Sequence, residues 1–213
     1  MGEYHKIPNV FARSIETKKI VEGEYTSETL DFLRNIFWDF TEKIDGTNIR
    51  IIWDGHRVEI KGRTDKAQIP SALLNRLMEL FAGEANEEIF ERAFGEKEVM
   101  LIGEGYGAKI QGCGGLYRPD QDFILFDVMI GGNYQPREAV AEIAHLFNLG
   151  VVPIVCRGTL KDGVDFVKSK PLSQIAKESL VMEGVVGRPH IELQDRCGNR
   201  VIVMIITHDF KEY

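Results

Sequence analysis

The sequence lacks the features of membrane-spanning and exported proteins. It contains no run of about 18 apolar residues, so no membrane-spanning helix is expected. The opening residues, Met1 to Lys6, show no apolar core of a signal peptide. Cysteine is scarce, and the three thiols of Cys113, Cys156 and Cys197 have neither paired nor zinc-binding spacing. These absences predict reduced cysteines in a cytosol-like compartment.

An excess of positive charge is also missing. The net charge of −7 at pH 7 argues against a surface that coats nucleic acid broadly, although it leaves room for a local basic groove. Basic residues form two clusters, one at His56, Arg57, Lys61, Arg63 and Lys66, the other at Arg188, His190, Arg196 and Arg200. Solvated strand and turn faces explain both clusters equally well.

Two common nucleotide-binding patterns are absent as well. The glycine-rich stretch Gly103–Pro119 contains no P-loop pattern, and no helical pattern follows its glycines as in a Rossmann fingerprint. The stretch is interpreted instead as a mobile loop over a cleft.

Composition and periodicity predict an α+β fold. The hydrophobic share of 44% and the length of 213 residues suit one sizeable globular domain. Apolar spacing predicts a helix opening at Ile69–Pro70 and others at Ile89–Phe94, Pro136–Phe147 and Pro171–Leu180. Strands are predicted at Asn48–Trp53, His56–Lys61, Glu98–Gly103, Asp122–Ile130, Glu183–Arg188 and Arg200–Thr207. Because these strands arrive mainly in hairpins, we expect antiparallel sheets.

A lysine among acidic and hydrogen-bonding residues is the most informative feature. It lies in Thr41-Glu42-Lys43-Ile44-Asp45-Gly46-Thr47-Asn48-Ile49-Arg50. An ordinary lysine, with a pKa of about 10.4, is a poor nucleophile at neutral pH unless a nearby cation or desolvation makes it reactive. Gly46 allows the backbone to approach a ligand closely, and Asn48 offers a donor and an acceptor. The alternative is a surface hairpin of mixed charge.

Three further positions add to this lysine. Glu104, in a glycine-rich turn, either accepts a hydrogen bond from a ribose hydroxyl or is an ordinary exposed acid. Phe126, inside an apolar strand, either stacks on a purine or belongs to the core. Glu183, at a strand start, is suited to coordinate a divalent cation directly or through water.

The order of these segments resembles the covalent nucleotidyltransferases, the superfamily of polynucleotide ligases and mRNA capping enzymes. The segments that match motif I, the following arginine, and motifs III, IIIa, IV and V are, in order, Lys43–Asn48, Arg63, Gly103–Gly107, Phe123–Val128, Glu183–Val186 and Arg200–Phe210. DNA ligases and capping enzymes usually carry arginine five residues after the lysine. Asn48 at that position, together with the opening His5–Phe11, is similar to the RNA-repair and RNA-editing ligases.

The resemblance implies an ATP-dependent RNA ligase with antiparallel sheets, flanking helices and a central nucleotide cleft. Its lysine attacks the α-phosphate of ATP to give a lysyl-adenylate, the adenylate moves to an RNA 5′-phosphate, and a 3′-hydroxyl displaces AMP. Lys43 is the implied nucleophile, and Glu183 the implied ligand of Mg²⁺ or Mn²⁺. The implied nucleotide-binding residues are Glu42, Ile44, Asn48, Arg63, Glu104, Phe126, Glu183, Met204 and Ile206.

Motif V departs from the family pattern. The superfamily normally carries two lysines one residue apart, and Met204 and Ile206 occupy those positions here. Residues two apart in a strand face the same side, so two cations that would neutralise the α-phosphate are missing. Three explanations stay open: deliberate replacement that traps a nucleotide, a natural binder that no longer ligates, or another cation such as Lys109, Lys168 or Lys211.

Three functions follow as expectations. The first is an RNA ligase impaired by the loss of the motif V lysines, the second a non-catalytic domain that binds ATP or an RNA end, and the third a DNA ligase. We expect residues 1–213 to form a single adenylation domain without a C-terminal OB or RNA-binding domain. Its partners would be RNA ends and no membrane, in the cytoplasm or as an intracellular protein of a phage or virus.

Overall fold

The computed structural model describes residues 2–210, and these divide into two compact units. The first unit, here called the hairpin unit, contains Asp45–Val152 together with Ala176–Glu178 and the chain up to His5. The second, here called the lysine unit because it contains Lys43, comprises Lys6–Ile44, Pro153–Ile175 and the chain from Ser179. The single adenylation domain expected from the sequence stays a prediction.

Helices and strands alternate in both units. The helices are α1 (Glu28–Leu33), α2 (Ser71–Phe81), α3 (Glu84–Phe94), α4 (Gly114–Tyr117), α5 (Arg137–Leu146) and α6 (Leu160–Lys168), with a 3-10 helix at Thr207–Phe210. The strands are β1 (Phe11–Arg13), β2 (Ile20–Tyr25), β3 (Trp38–Lys43), β4 (Thr47–Trp53), β5 (Val58–Gly62), β6 (Val99–Gly107), β7 (Gln121–Ile130), β8 (Asn133–Tyr134), β9 (Gly150–Val151), β10 (Ile154–Gly158), β11 (Gly184–Pro189) and β12 (Val203–Ile206). None of the helices within residues 2–210 has the length and apolar character needed to span a bilayer.

A mainly antiparallel sheet forms the centre of the hairpin unit. Its strands lie in the order β5-β4-β6-β7-β8, and β9 pairs in parallel with β7. One face carries Ile49, Ile51 and Trp53, which are buried in one apolar cluster with residues of α2, α3 and α5. Because side chains alternate along a strand, Asn48 and its register partner Glu104 lie on the other face.

The predicted hairpin of β4 and β5 is confirmed. Gly55 in its turn has a φ of +100°, a conformation that favours glycine. The Asp54 carboxylate accepts hydrogen bonds of 2.9 Å from the backbone N–H groups of His56 and Arg57. The turn is therefore fixed by residue types that the sequence displays.

A four-stranded antiparallel sheet forms the centre of the lysine unit. Its order is β10-β3-β11-β12, so β3 and β12 run in the same direction and end at the same edge. Phe40, Val185, Val203 and Ile205 are buried on one face in a cluster with apolar residues of α6. The antiparallel α+β architecture predicted from the sequence is thereby confirmed.

One predicted helix is wrong. Residues 171–180 form no helix, because the backbone N–H groups of Ser173 and Gln174 bond to Leu180 and to the Glu42 side chain instead of to a helical ladder. The helix lies earlier, at α6, where Thr159 and Asp162 form a capping box. Likewise, the predicted glycine-rich loop is partly regular, since β6 continues to Gly107 and α4 follows.

Gly163 is the reason that apolar periodicity does not predict α6. Glycine weakens a helical pattern, yet this glycine is required because an added Cβ would lie 2.4 Å from atoms of the Phe40 ring. The Phe40 ring is fully buried, so it has little room to move. Close contact between α6 and β3 therefore selects a residue that is a poor helix former.

Replacing Gly163 with alanine should destabilise the protein although alanine favours helices. Overpacking typically costs about 1–3 kcal/mol, which exceeds the gain of at most about 1 kcal/mol in helix propensity. Urea unfolding should therefore show a lower free energy of unfolding. Gly115→Ala, in α4 with nothing within 4 Å of the added Cβ, is the matched control and should show no such loss. An unchanged or raised stability of Gly163→Ala would contradict the packing explanation.

Candidate active site

Lys43 ends β3 and pairs with Glu183, the residue immediately before β11. The Lys43 Nζ donates to Glu183 Oε2 at 2.6 Å, with 27% and 29% of the two side chains exposed. Strand register opposes Lys43 to Gly184, which brings the neighbouring glutamate to the amine. A Cβ on Gly184 would lie 2.1 Å from the Ile205 carbonyl oxygen, so this crossing of strands requires glycine. The backbone therefore fixes the separation of amine and carboxylate.

The two motif V positions share the face of Lys43. Gly184 pairs with Ile206 and Val186 with Met204, while Val203 and Ile205 point into the core. Lys43, Gly184 and Ile206 consequently form one row across three strands. Met204 and Ile206 are both half-buried. Two apolar side chains thus stand on the lysine face, and their assignment to motif V stays a prediction.

Glu42 points to the opposite face of β3, away from the Lys43 amine. Its side chain is buried, accepts from the Ser173 hydroxyl, and accepts from the Gln174 backbone N–H at 2.9 Å. Burial raises the pKa of the Glu42 carboxyl, and these two hydrogen bonds lower it to a smaller extent. The carboxylate therefore organises residues 173–174. A nucleotide contact by Glu42, or by the buried Ile44, stays a prediction.

In the hairpin unit, Asn48 and Glu104 lie opposite each other on β4 and β6. The Asn48 Oδ1 atom is buried and has no hydrogen-bond partner among residues 2–210. A buried acceptor of this kind costs free energy, so it fits a site where a ligand donor such as a hydroxyl completes the bond. The nucleotide contact expected of Asn48 stays a prediction.

Gly46 packs directly against the same strand. An added Cβ would lie 2.4 Å from the Gly105 carbonyl oxygen and 2.7 Å from Glu104 Cγ. Two side chains hold this turn from outside: Gln111 Nε2 donates to the Gly46 carbonyl at 3.0 Å, and the Asp45 N–H donates to the Tyr117 hydroxyl at 3.3 Å. The turn at Asp45 and Gly46 is therefore held closely against β6.

Phe126 lies at an irregularity in the pairing of β6 with β7. Ile102 pairs with Asp127 and Gly103 with Leu125, which leaves Phe126 as the extra residue of a bulge. Its ring is half-buried, lies 5.6 Å from the Tyr4 ring, and does not join the core cluster of this unit. The bulge thus removes this aromatic from the core, which favours the stacking interpretation over a core phenylalanine.

Two arginines of the hairpin unit differ in burial, and the nucleotide contact predicted for Arg63 stays a prediction. Arg63 is exposed in the turn after β5. Arg50 is 1% exposed and donates to the carbonyl oxygens of Gly62 at 2.8 Å and Gly2 at 2.9 Å, and to Asp65 Oδ1 at 2.8 Å. Sequence reasoning missed Arg50, although its place between Ile49 and Ile51 marks it as belonging to the polar face. No sequence pattern identifies Gln111 or Tyr117 as residues whose side chains hold the turn at Asp45 and Gly46.

The substitute cations proposed for motif V differ in position. Lys109 is exposed in the hairpin unit with a φ of +66°. Lys168 lies in the lysine unit, bonds to Glu22, and has its Nζ 5.4 Å from the centre of the Phe210 ring. Lys211 lies outside the described residues. None of them is shown to replace a motif V lysine.

Residues 2–210 contain no group of three or more His, Cys, Asp or Glu side chains arranged to hold a metal. A single carboxylate such as Glu183 does fit Mg²⁺, because this ion is usually held by one or two carboxylates together with substrate phosphates. The donor set therefore suits a metal that arrives with a nucleotide.

Comparison with known proteins assigns the chain to a family. A family model described as RNA ligase matches residues 37–203. The chain belongs to the RNA ligase family. This confirms the family predicted from the order of the motifs, while the assignment of the motif V positions stays a prediction. A search of the curated proteins gave no match.

Solved structures of an RNA ligase from Naegleria gruberi are similar to this family member in fold. A variant with ATP and Mn has 17% identity and a TM-score of 0.65, over 99% of this chain and 58% of that chain. A variant with AMP and Mn has 16% identity and a TM-score of 0.64, over 99% and 59%. A structure with PPi has 18% identity and a TM-score of 0.63, over 99% and 59%. The chain thus spans less than two thirds of these solved chains.

Replacing Glu42 with glutamine should change how stability depends on pH. Burial raises the folded-state pKa of this carboxyl above its ordinary 4.5, so the folded state binds the proton more tightly. The stability contributed by the protonated carboxyl is complete below the unfolded-state pKa and is lost as pH rises through the raised folded pKa. In urea unfolding between about pH 4 and about pH 8, the parent should therefore lose stability relative to Glu42→Gln.

The control for this pH dependence is Glu88→Gln, which alters an exposed glutamate of α3. Its stability difference from the parent should stay nearly constant over the same pH range. A parent advantage over Glu42→Gln that grows with pH would show that the carboxylate is stabilised, not penalised, by its surroundings.

Proposed function

We propose that this chain is the adenylation part of an ATP-dependent RNA ligase whose first step is slow. The proposed reaction joins RNA 5′-phosphate and 3′-hydroxyl ends through a lysyl-adenylate on Lys43. The observation that carries the proposal is the Lys43–Glu183 pair at 2.6 Å in a chain of the RNA ligase family. The ATP, AMP and PPi complexes of the similar Naegleria gruberi ligase support ATP as the nucleotide.

In the first step the deprotonated Lys43 Nζ attacks the α-phosphorus of ATP. A P–N bond forms as the bond from that phosphorus to the bridging oxygen breaks, and pyrophosphate leaves with the electron pair. Glu183 holds the amine in place beforehand, which supports attack by positioning. Glu183 together with the nucleotide phosphates would hold Mg²⁺ or Mn²⁺, which supplies neutralisation of phosphate charge.

The hairpin unit contributes the proposed nucleoside contacts. The buried, unpartnered Asn48 Oδ1 would accept from a donor of the nucleotide, and the adjacent Glu104 from a ribose hydroxyl. Phe126, displaced from the core by the bulge, would stack on the adenine. Arg63, exposed after β5, would contact phosphate.

The later steps transfer the activated group to RNA. An oxygen of the RNA 5′-phosphate attacks the adenylate phosphorus, the P–N bond breaks, and Lys43 regains its amine. The RNA 3′-hydroxyl then attacks the 5′-phosphorus, AMP leaves, and a phosphodiester bond forms. This chemistry depends on positioning and on neutralising charge rather than on further covalent catalysis.

Met204 and Ile206 weaken the first step in this proposal. Both lie on the lysine face, and neither can neutralise the α-phosphate. Loss of one charge-stabilising group typically costs about 3–4 kcal/mol in the transition state, although two such losses need not add. The same observation favours a second function, a domain that binds ATP or an RNA end without reaction.

Incubation with ATP labelled at the α-phosphate tests the nucleophile. The parent should acquire a slow covalent label that survives denaturing electrophoresis, and Lys43→Ala should acquire none. Lys97→Ala, which removes an exposed lysine of the hairpin unit, should label like the parent. Melting curves separate the second function, because a binding domain gains thermal stability from ATP without any label.

Restoring two lysines tests the proposed defect. Met204→Lys combined with Ile206→Lys should accelerate labelling at least ~100-fold, the factor expected for one recovered charge-stabilising group. Met204→Gln combined with Ile206→Gln is the control for polarity without charge and should give no such gain. Absence of label from both the parent and the double-lysine variant would reject the ligase. Sealing of matched RNA and DNA nicks by the active variant then separates RNA from DNA ligation.

A further inference from the structure

The lysine unit contains a basic cleft of about 750 Å³ that the proposed mechanism does not use. Its basic side chains are those of Arg13, Lys18, Lys19, Lys168, Lys170 and His208. Two carboxylates, Glu22 and Asp209, also line it. The whole chain has a net charge of −7, so this local excess of positive charge is unexpected and needs an explanation.

Three separate elements bring these basic side chains together. Lys18 and Lys19 come from the turn between β1 and β2, Lys168 and Lys170 from the end of α6, and His208 from the 3-10 helix. The dipole of α6 accounts for cations at its C-terminal end but not for those of the β1–β2 turn. The cleft is therefore a convergence of charge and not a by-product of one helix.

The acids in the cleft offset only part of its charge. Asp209 accepts from Arg13 at 2.6 and 2.8 Å, and Glu22 accepts from Lys168. Lys18 and Lys170 form no ion pair with any residue between 2 and 210. Both hold a left-handed backbone, with φ of +60° and +54°, which is uncommon for lysine. Two unneutralised cations are thus held at the cleft by an unusual backbone.

One wall of the cleft, formed by His208, Asp209 and Phe210, lies at the end of the four-stranded sheet that also carries Lys43. The 3-10 helix continues directly from β12, whose last residue, Ile206, lies in the row of Lys43. The backbones of Lys43 and Ile206, at the two ends of this row, are two strand spacings apart, or about 10 Å. The first residue of the 3-10 helix, Thr207, donates its N–H to the Glu183 carbonyl at 2.8 Å. A chain held in the cleft would therefore lie at the same end of this sheet as Lys43.

We propose that this cleft binds the phosphodiester backbone of a single-stranded substrate, and that the strand is RNA. Lysine and arginine in a groove are the usual means of holding such a backbone without regard to sequence. The identification of the strand as RNA rests on the proposed ligase function, whereas the affinity for a phosphate chain follows from the cleft alone.

The test measures binding of a fluorescent single-stranded RNA of about 15 nucleotides to the full chain without ATP or metal. Lys18→Gln combined with Lys170→Gln should weaken binding at least ~10-fold at low salt and reduce the slope of log Kd against log salt by about 1.4, the value for two lost phosphate contacts. Arg92→Gln combined with Lys97→Gln removes the same charge from exposed positions of the hairpin unit and should leave the slope unchanged.

Each result decides the proposal. Equal loss of affinity in the two double variants, or no loss in the cleft variant, would overturn the cleft as the binding site. Equal or tighter binding of DNA of the same sequence would overturn the RNA assignment, and displacement by an equimolar amount of inorganic tripolyphosphate would indicate a site for small anions. Labelling by ATP is measured separately without RNA. If neither the parent nor the Met204→Lys, Ile206→Lys variant is labelled but RNA binding still needs Lys18 and Lys170, the ligase is refuted and the cleft is kept.

Discussion

The row of residues from Lys43 through Gly184 to Ile206 is the constraint on which the lysine unit depends. Backbone hydrogen bonds across three strands set which side chains accompany the amine, and the missing Cβ of Gly184 permits the closest crossing. A slip of one residue in β12 would exchange its two faces, sending Met204 and Ile206 into the core. Sheet register therefore decides which side chains lie on the lysine face, and it places the apolar Met204 and Ile206 there.

The hairpin unit applies a comparable constraint by different means. Gly46 is pressed against β6 and tied by Gln111, so the turn after the lysine has little freedom of its own. Asn48, two residues later, keeps a buried acceptor without a partner. A rigid backbone beside an unsatisfied polar atom is the condition in which a ligand gains most from binding, because little ordering remains to be done on the protein side.

The sequence predicts the local structure and the family better than it predicts which single side chains are buried. Residue type alone indicates the Asp54–Gly55 turn and the end of α3 at Gly95. The order of short motifs predicted the family. Helix α6 was not predicted because Gly163 weakens the helical pattern. Glycine is needed there for contact with the Phe40 ring, which lies more than a hundred residues away in the sequence. The burial of Glu42 could not be predicted, because the sequence alone does not reveal which face of β3 this side chain occupies. Arg50, Gln111 and Tyr117 act through partners brought together only by the fold.

The long separation between the paired residues has a consequence for synthesis of the chain. Glu183 follows Lys43 by 140 positions, and the strands that flank the amine include some of the last to be made. At ribosomal rates of about 5–20 residues per second, the lysine waits roughly 7–28 s for its partner to emerge. During that interval β3 lacks the neighbour that completes its lysine face, so in a nascent chain the Lys43 amine lacks its carboxylate partner Glu183. Maturation of this centre is therefore a late, non-local event, of the kind that slows folding.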